Sequence, residues 1–419
     1  MKRMEKYKEY KDCGVQWLGE IPSHWKVRKM KYTFIERSEK NHPHEEPLCA
    51  TQSKGVIPQS LYEGRVVVVN KGFEGLKLVK VGDFVISLRS FQGGIEYAYY
   101  QGIISAAYTV LQPKDANMAP FFKYLFKSHD YVQLLQTCVT GIREGQNINY
   151  PLLSKKAIPL PPLAEQCSIV SYLDTKCSQL DILLSNKEKE ISLLQEMKQR
   201  VIADAVTRGI NPNVKFKATN VPWLPEIPEH WEMRKMKYIF KERSEKNHPN
   251  EEPLCATQSK GVIPQSLYEG RVVVVNKGFE NLKFVKEGDF VISLRSFQGG
   301  IEYAYYQGII SAAYTILEIV EFTMAPYYRL MFKSHNFIQL LQTCVTGIRE
   351  GQNINYPLLS NKILPVPPLS EQRAIVSYIT ERTSKIDLLI EKLNKEIECI
   401  KEYKQCLISD VVTGQVKVC

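Results

Sequence analysis

The sequence lacks long apolar runs, paired cysteines and an apolar leader. No apolar run approaches the roughly 18 residues of a membrane-spanning helix, and the longest β-branched run is Val66–Val69. The basic start, residues 1–12, has no apolar segment behind it, so nothing there resembles a secretory signal and we expect a cytoplasmic protein. Ten cysteines occur without a Cys-x-x-Cys pair, which disfavours both a zinc site and a disulfide framework.

Catalytic signatures are also missing. The chain contains no phosphate-binding loop, no Gly-x-Gly-x-x-Gly after a strand, no His-Glu-x-x-His and no Gly-x-Ser-x-Gly. The nearest metal candidate is His42-Pro43-His44, but the matching stretch reads His248-Pro249-Asn250, which favours a solvated loop without metal. We therefore expect a chain that is not an enzyme by itself and that binds no cofactor.

The composition is that of an ordinary globular protein with a basic balance. The 419 residues are 44% hydrophobic and 24% charged, and 55 Lys and Arg against 45 Asp and Glu give a net charge of +10. This length allows two or three domains, and the charge makes a polyanion a reasonable partner without naming one.

The chain contains an internal tandem duplication. Residues 15–207 match residues 221–413 without insertion, at 138 of 193 positions or about 70%. A repeat of this length is far beyond the roughly 20 to 50 residues of solenoid repeats, so each copy should be a domain with its own core. The duplication predicts a molecule with pseudo-two-fold symmetry.

Each unit divides into a mixed α+β globular part and a long helix. Strand signals occur at Arg65–Asn70, Asp83–Ser87 and Ile103–Leu111, and helical spacing follows Pro120 until Thr140-Gly141. The prolines of Ile158–Leu163 require extended backbone, so this segment is predicted to be a rigid connector.

The segment behind the connector has the spacing of a coiled-coil seam. The first copy has apolar residues at Leu173, Cys177, Leu180, Leu184, Ile191, Leu194 and Val201, interrupted by Lys187 and Lys198. The second copy has Ile379, Thr383, Ile386, Ile390, Leu393, Ile397, Ile400 and Leu407 in the same register. Under two-fold symmetry the two helices must pair antiparallel, with a globular part at each end, as a spacer on the order of 60 Å.

Two framing motifs carry a resemblance to a known family. The stretch TGIREGQNINYPLLSKKAIPLPPLAEQCSIVSYLD from Thr140 recurs from Thr346, and each is followed by the seam helix. The openings Trp17–Pro22 with Trp25, and Trp223–Pro228 with Trp231, also fit, as does Thr207-Arg208-Gly209. Over nearly its whole length the chain resembles the specificity subunit of Type I restriction-modification enzymes.

The resemblance implies a fold and a set of domains. Each globular part would be a target recognition domain for one half of a split DNA site, and the paired helices would set the distance between halves. The domains would be an N-terminal extension 1–14, recognition domain 15–164, helix 165–207, linker 208–220, recognition domain 221–370, helix 371–413 and tail 414–419.

The resemblance also implies partners. The chain would bind double-stranded DNA and dock methyltransferase subunits, two of them by symmetry, with restriction subunits as a further possible partner. S-adenosylmethionine, ATP and Mg²⁺ would belong to those partners.

The near-identity of the two recognition domains departs from the usual family pattern, in which they differ. Similar domains on a two-fold frame would read an interrupted palindrome. Differences between Asp115–Tyr131 and Glu321–Phe337 could still change one half-site if that helix faces DNA.

Loops that combine amides, cations and glycines are the candidate DNA contacts, because they offer groups for base edges and phosphates and permit close approach. In the first unit these are Thr51, Gln52, Lys54, Arg65, Lys71, Arg89, Ser90, Gln92, Gly93, Arg143, Gln146 and Asn147. In the second they are Thr257, Gln258, Lys260, Arg271, Lys277, Arg295, Ser296, Gln298, Gly299, Arg349, Gln352 and Asn353. The tyrosines at 97, 99 and 100, and their copies, are predicted to be core rather than contact residues.

Two other functions remain open from the residues alone. One is a DNA-binding regulator that acts without methyltransferase partners, and the other is a scaffold that binds no DNA. Salt-dependent binding to duplex DNA would separate the scaffold from the other two.

Overall fold

The computed structural model describes residues 5–64, 72–140, 147–270, 278–346 and 353–418. The chain divides into two compact units, residues 1–187 with 394–419, and residues 188–393. Each unit therefore contains one globular part and one half of each long helix. None of the helices in the described residues is long and apolar enough to cross a membrane.

The first globular part mixes short strands and short helices. The strands are β1 (Tyr10–Asp12), β2 (Glu20–Pro22), β3 (Lys26–Lys29), β4 (Phe34–Arg37), β5 (Leu48–Thr51), β6 (Gly55–Pro58), β7 (Lys77–Val79), β8 (Phe84–Ile86), β9 (Glu96–Tyr97), β10 (Gly102–Ile104), β11 (Thr109–Pro113), β12 (Val139–Thr140), β13 (Asn147–Ile148) and β14 (Ala157–Leu160). The helices are α1 (Met30–Thr33), α2 (Ser90–Gly93), α3 (Ala119–Leu125), α4 (His129–Gln136), α5 (Tyr150–Leu153) and the long α6 (Leu163–Arg208).

The second globular part repeats this order. Its strands are β15 (Phe216–Val221), β16 (Leu224–Pro228), β17 (Glu232–Lys235), β18 (Phe240–Arg243), β19 (Leu254–Thr257), β20 (Gly261–Pro264), β21 (Lys283–Val285), β22 (Phe290–Ile292), β23 (Glu302–Tyr303), β24 (Gly308–Ile310), β25 (Thr315–Ile319), β26 (Val345–Thr346), β27 (Asn353–Ile354) and β28 (Ile363–Val366). The helices are α7 (Ser296–Gly299), α8 (Ala325–Met331), α9 (His335–Gln342), α10 (Tyr356–Leu359) and the long α11 (Leu369–Val412), and Met236–Tyr238 forms a 3₁₀ turn where the first part has α1.

An antiparallel four-stranded sheet is the centre of each globular part. Its order is β4-β11-β8-β9 in the first and β18-β25-β22-β23 in the second. Two-stranded ladders surround it, among them the hairpin β5–β6, in which Leu48 pairs with Pro58 and Thr51 with Gly55. The predicted mixed architecture is confirmed, although the predicted strand Ile103–Leu111 is two strands separated by the turn at 105–108.

Two apolar cores stabilise each globular part. The larger core of the first unit joins Trp25, Phe34 and Phe122 to long-helix residues such as Leu173 and Val411. A smaller core, which includes Leu48, Val79, Val85 and Val110, lies inside the strands. The second unit has the same pair of cores, so the helices are anchored through apolar packing rather than through a flexible joint.

The proline-rich connector is extended, as the sequence predicts. Residues 157–160 form β14, which pairs antiparallel with β3 from Ala157↔Lys29 to Leu160↔Lys26. The helix then begins at Leu163. The segment predicted as linker 208–220 ends in strand β15, and the N-terminal extension 1–14 contains β1.

The helical stretch after Pro120 is broken into two helices. Helix α3 ends at Leu125 and α4 begins at His129, so a single helix up to residue 140 is the wrong interpretation. The Ser128 hydroxyl donates to the Leu125 carbonyl at 2.7 Å within the intervening turn. The main-chain N–H of Ile95 donates to the carbonyl of Phe126 at 3.4 Å. The turn between α3 and α4 therefore bonds the segment that contains Ile95. Apolar periodicity alone cannot predict such a contact.

The framing motifs tie the start of each long helix to its globular part. Glu165, in the first turn of α6, accepts hydrogen bonds from His24 at 2.8 Å and from the Tyr7 hydroxyl. Glu371 of α11 accepts from His230 at 2.7 Å and from Trp231 Nε1 at 3.0 Å. A carboxylate at a helix N-terminus is also favoured by the helix dipole. These contacts explain why the tryptophan opening and the Pro-Pro-Leu-x-Glu-Gln motif occur together.

The predicted seam is the buried side of both helices. Every predicted seam position in α6 and α11 is buried or half-buried, and most residues between them are exposed. In the first unit Lys404 pairs with Asp181 at 2.6 Å, and the half-buried Lys187 pairs with Glu396. In the second unit Lys198 pairs with Asp387 at 2.6 Å. Along the paired helices, residue numbers of α6 increase in the direction in which those of α11 decrease. The predicted antiparallel pairing is therefore confirmed within each unit.

Candidate nucleic-acid interface

Two loops that are 35 to 40 residues apart in sequence meet in a cleft of the first unit. One loop is the tip of the β5–β6 hairpin and the other is α2. The cleft has a volume of about 730 Å³ and is closed on its other side by the long helices. Gln52, Lys54, Gln92 and Gly93, all predicted from sequence, line it.

The hairpin tip has a defined conformation that exposes its polar residues. Gly55, which follows loop residues 52–54, has φ +73°, a left-handed backbone conformation that glycine adopts without strain. The Thr51 hydroxyl donates to the Gly55 carbonyl at 2.9 Å and accepts from the main-chain N–H of Lys54 at 3.0 Å. Gln52 and Lys54 are exposed, whereas Thr51 is buried. Thr51 therefore shapes the tip, and we leave it and its copy Thr257 out of the proposed contacts.

The second loop is one helical turn after strand β8. The buried Ser90 hydroxyl accepts from the main-chain N–H of Ser87 at 2.9 Å, so Ser90 also stabilises the loop and is left out of the proposed contacts, as is Ser296. Arg89 precedes the turn and is exposed, and its side chain has no hydrogen bond or ion pair with the residues that the structure describes. Gln92 is exposed. A side chain on Gly93 would meet the Gln52 side chain, because its Cβ would lie 2.8 Å from Gln52 Cδ. The two loops are thus in direct contact.

A lysine behind the cleft binds both loops. Lys127 Nζ donates to the carbonyls of Gln52 at 3.1 Å and Gly93 at 2.8 Å, and to Glu96 Oε1 at 2.6 Å. Burial raises the pKa of Glu96 to about 7, against the attraction of Lys127. Lys127 was not predicted from sequence.

The long helices and two tyrosines complete the cleft. Gln405 of α11 donates to the Lys127 carbonyl at 2.7 Å, which fixes the turn between α3 and α4 against the helix. Tyr99 lines the cleft, and its ring lies against the position that a Gly55 side chain would occupy. Tyr97 is half-buried, but Tyr99 and Tyr100 are 48% and 43% exposed. The prediction that these tyrosines are core residues is therefore wrong for Tyr99 and Tyr100, because the strand β9 ends at Tyr97.

The second unit contains the corresponding cleft, with a volume of about 1660 Å³. Gln258, Lys260, Gln298 and Gly299 line it, as their counterparts do in the first unit. Lys333 Nζ donates to the carbonyls of Gln258 at 3.3 Å and Gly299 at 2.9 Å, and to the buried Glu302 at 2.6 Å.

The walls of the two clefts differ at several positions, among them Lys123 and its counterpart Arg329. In the first unit Lys123 pairs with Asp174 at 3.1 Å, and the Tyr124 hydroxyl donates to the same carboxylate. In the second unit Arg329 lies over the rings of Tyr303 and Tyr305, with Arg329 Nη1 at 3.3 Å from the Tyr305 hydroxyl.

The structure does not test every predicted contact. Arg65, Lys71, Arg143, Gln146, Arg271, Lys277, Arg349 and Gln352 lie outside the described residues. Asn147 and Asn353 are exposed, each opposite a threonine at the end of a two-stranded ladder, and neither lines a cleft described above.

A sequence signal for Lys127 does exist. Residues 115–134 match residues 321–340 at only nine positions, yet Phe126-Lys127-Ser128-His129 is identical to its counterpart. Apolar periodicity predicts one continuous helix across these four identical residues. Periodicity alone therefore does not distinguish Lys127 from its neighbours.

No group of three or more His, Cys, Asp and Glu residues suited to a metal ion occurs among the described residues. His42 of the former candidate instead pairs with Glu39, at 3.0 Å. The exposed loop residues of the clefts offer amides and amines, which suit hydrogen bonding to bases and phosphates. Carboxylates also line the clefts, and Asp181 and Asp387 among them are paired with Lys404 and Lys198 of the long helices.

Comparison with known proteins identifies the family. A sequence model described as "Type I restriction modification DNA specificity domain" matches twice, at residues 22–193 and 228–399. The putative type I restriction enzyme MjaX specificity subunit of Methanocaldococcus jannaschii is 25% identical, with 96% of each chain covered. The MjaVIII specificity subunit of the same organism is 27% identical over 81% of this chain and 80% of that protein.

A solved structure agrees in fold. It belongs to a study of complex assembly and conformational transition of the type I R-M system, and the match covers 94% of this chain and 98% of the solved chain, with a TM-score of 0.65 and 15% identity. The duplicated family match and the full-length relatives lead to one conclusion: this chain belongs to the family of Type I restriction-modification specificity subunits, and is a DNA-recognition chain rather than a catalytic one.

Proposed function

We propose that this chain reads a bipartite DNA site, with the cleft loops of each unit contacting one half. The observation that carries this proposal is the meeting of the β5–β6 tip and α2 in one cleft, with the same polar residues at the same places in both units. The exposed polar residues of both loops therefore face one shared surface in each unit.

The chemistry of the exposed loop residues fits base and phosphate contact. The amides of Gln52 and Gln92 can bond the adenine edge in two places, Arg89 can bond guanine, and Lys54 is suited to a phosphate. Lys54 has no ion pair or side-chain hydrogen bond with the described residues. Its charge is therefore available to a polyanion.

The site proposed is an interrupted palindrome. Residues 45–74 are identical to residues 251–280, and residues 85–104 to residues 291–310, so the two sets of loop residues are the same. Equivalent loops on a two-fold frame meet the two strands of a duplex in the same way. The walls at Lys123 and Arg329 are the places where the half-sites can differ.

The long helices are proposed to set the spacer and to dock two methyltransferase subunits. Their 46 and 44 residues correspond to lengths on the order of 65–70 Å. Residues 175–194 match residues 381–400 at only six positions, yet Ile182-Leu183 and Leu388-Leu389 are exposed and apolar in both. Exposed apolar residues retained in a variable segment favour a docking surface.

The methyltransferase and any restriction subunits would supply S-adenosylmethionine, ATP and Mg²⁺. The chain's own role is then sequence choice and assembly. A DNA-binding protein that acts without such partners is not favoured, because the full-length relatives are specificity subunits of restriction enzymes.

Base-resolution mapping of N6-methyladenine tests the proposal. Cells that express this chain with its methyltransferase partner are compared with cells that lack only this chain. We expect a chain-dependent interrupted palindrome. An asymmetric bipartite motif would reject the palindrome and support the bipartite site. The absence of any chain-dependent motif would contradict the proposed function.

A further inference from the structure

Lys127 and Lys333 occupy a place that only the folded chain reveals. Each lies in the turn between the two short helices of its globular part, beside the cleft. Each ammonium group has three N–H donors, and each is within hydrogen-bond distance of three acceptors on three different segments. In the first unit the acceptors are on the β5–β6 tip, on α2 and on β9.

The acceptors belong to the loops that carry the candidate base contacts. Gln52 and Gly93 offer their main-chain carbonyls to Lys127, while the side chains of Gln52 and Gln92 remain exposed to the cleft. A Cβ added to Gly93 would lie 2.8 Å from Gln52 Cδ, so the Gln52 side chain would have to move to accommodate it. A change in the lysine therefore changes the position of one loop against the other.

The third acceptor fixes the lysine itself. Glu96 is 1% exposed, and its Oε1 accepts from Lys127. A buried carboxylate is costly unless it is paired, so the lysine cannot leave Glu96 for another partner without loss of stability. The same pair exists at Lys333 and Glu302, with the glutamate 2% exposed.

We propose that Lys127 and Lys333 are positioning residues for DNA specificity: each holds the two recognition loops of its own unit in one relative position and thereby sets the half-site that the unit selects. This inference rests on the proposed function. It differs from a phosphate contact, because all three donors of each ammonium are directed to protein acceptors. Lys54, with its side chain unpaired among the described residues, is the matched example of a lysine suited to a phosphate.

The test is selection of duplexes from a randomised library by the full-length chain assembled with its methyltransferase subunits. Wild type, Lys127→Met, Lys333→Met and Lys54→Met are compared, and binding to the selected duplex is then measured across a salt series. The duplication supplies an internal control, since each variant leaves the other recognition domain unaltered.

We expect Lys127→Met and Lys333→Met each to select a site in which one half-site is relaxed and the other half-site and the spacer are unchanged. Discrimination against a changed base in the relaxed half should fall about tenfold. The salt dependence of binding should stay as in wild type. In contrast, Lys54→Met should select the wild-type site, bind all duplexes more weakly and lower the salt slope by about one.

Three results would overturn the inference. One is an unchanged site for both Met variants. Another is a uniform loss of affinity with a reduced salt slope, which would make the lysines phosphate contacts. The third is loss of both half-sites by a variant whose thermal unfolding matches that of wild type, which would show that the lysine does not act on the half-site of its own unit.

Milder variants keep the test decisive if a Met variant fails to fold. Glu96→Gln and Glu302→Gln retain the side-chain shape and remove the charge that fixes the lysine. They should relax the same half-site to a smaller extent, and an unchanged site would overturn the inference. If wild type itself selects no bipartite site, the proposed function fails with the inference, whereas a wild-type site with unaltered variants rejects the inference alone.

Discussion

The two units have the same cleft loops but different cleft walls. Residues 85–104 and 291–310 are identical, and both sets of loops are held by a lysine with the same three acceptors. At the wall, however, Lys123 is held by Asp174, whereas Arg329 lies against two tyrosines. The loops and the lysine that bonds them are therefore the same in both units, whereas the cleft wall at Lys123 and Arg329 differs.

The long helices show a second contrast, between pattern and identity. Most buried seam positions stay apolar in both copies with few identities, because packing along a seam requires size and polarity rather than particular side chains. Thr383 and the half-buried Lys187 are exceptions. The exposed pairs Ile182-Leu183 and Leu388-Leu389 stay apolar without any seam to fill. The proposed docking surface for methyltransferase subunits would account for that retention.

The largest effect is expected from charges on these exposed pairs. Leu183→Glu with Leu389→Glu should abolish assembly with methyltransferase subunits, and each single change should remove one of two docked subunits, because a carboxylate cannot be buried unpaired. Mass measurement of the purified assembly checks this. Ser192→Glu, which places the same charge on an exposed part of α6, is the control. Intact assembly in the double variant would place docking elsewhere.

A large effect is also expected from the loop arginines. Arg89→Ala or Arg295→Ala should relax or abolish one half-site, at a cost of about 1–3 kcal/mol for a lost bidentate base contact. The unaltered unit of each variant provides an internal control, because it should still select the wild-type half-site. Unchanged sequence preference in both variants would remove these arginines from the contacts.

The buried glutamate predicts a pH effect on stability. Burial raises the pKa of Glu96 from its ordinary value of 4.5 to about 7, so the folded protein holds this proton more tightly than the unfolded chain. Ionisation of Glu96 therefore lowers stability as pH rises from about 4.5 to about 7. Glu96→Gln lacks this loss, and relative to wild type its stability should rise by at least about 1 kcal/mol over that range.

Thermal unfolding of wild type and Glu96→Gln at pH 5 and pH 8 measures this difference. Glu302→Gln should behave in the same direction, because burial also raises the pKa of Glu302. A stability difference that shrinks or reverses as pH rises would contradict the expectation.

The smallest effect is expected from exchange of the wall residues. Lys123→Arg with Tyr124→Leu and Asp174→Thr gives the first unit the residues that the second unit has at 329, 330 and 380. This exchange should change half-site preference by less than about 1 kcal/mol while making the two half-sites more alike. Duplex selection with the variant measures this. A larger change in base preference would show that the wall residues contact bases. The identity of the loops would then be insufficient to predict a palindrome.

Prediction from sequence succeeded where the signal is periodic or repeated. The 4-3 spacing through Leu180 and Leu184 predicts the buried side of α6, and the prolines at 159, 161 and 162 predict the extended connector. It failed at the break between α3 and α4, because apolar spacing continues through Phe126 into the turn. Tyr99 and Tyr100 were misplaced because strand ends depend on pairing rather than on residue type.

The amino-acid sequence is sufficient to predict the duplication, the coiled-coil seam, the family and the exposed polar residues of both loops, since repeats and periodicity can be recognised along the chain. The folded structure is needed to show that the hairpin tip and α2 share a cleft. It also shows that the hydroxyls of Thr51 and Ser90 bond within their own loops, and that Lys127 bonds both loops. The contacts of Lys127 with the two loops join segments more than 30 residues apart. The path of the chain through the core, rather than any local pattern, brings their atoms within hydrogen-bond distance.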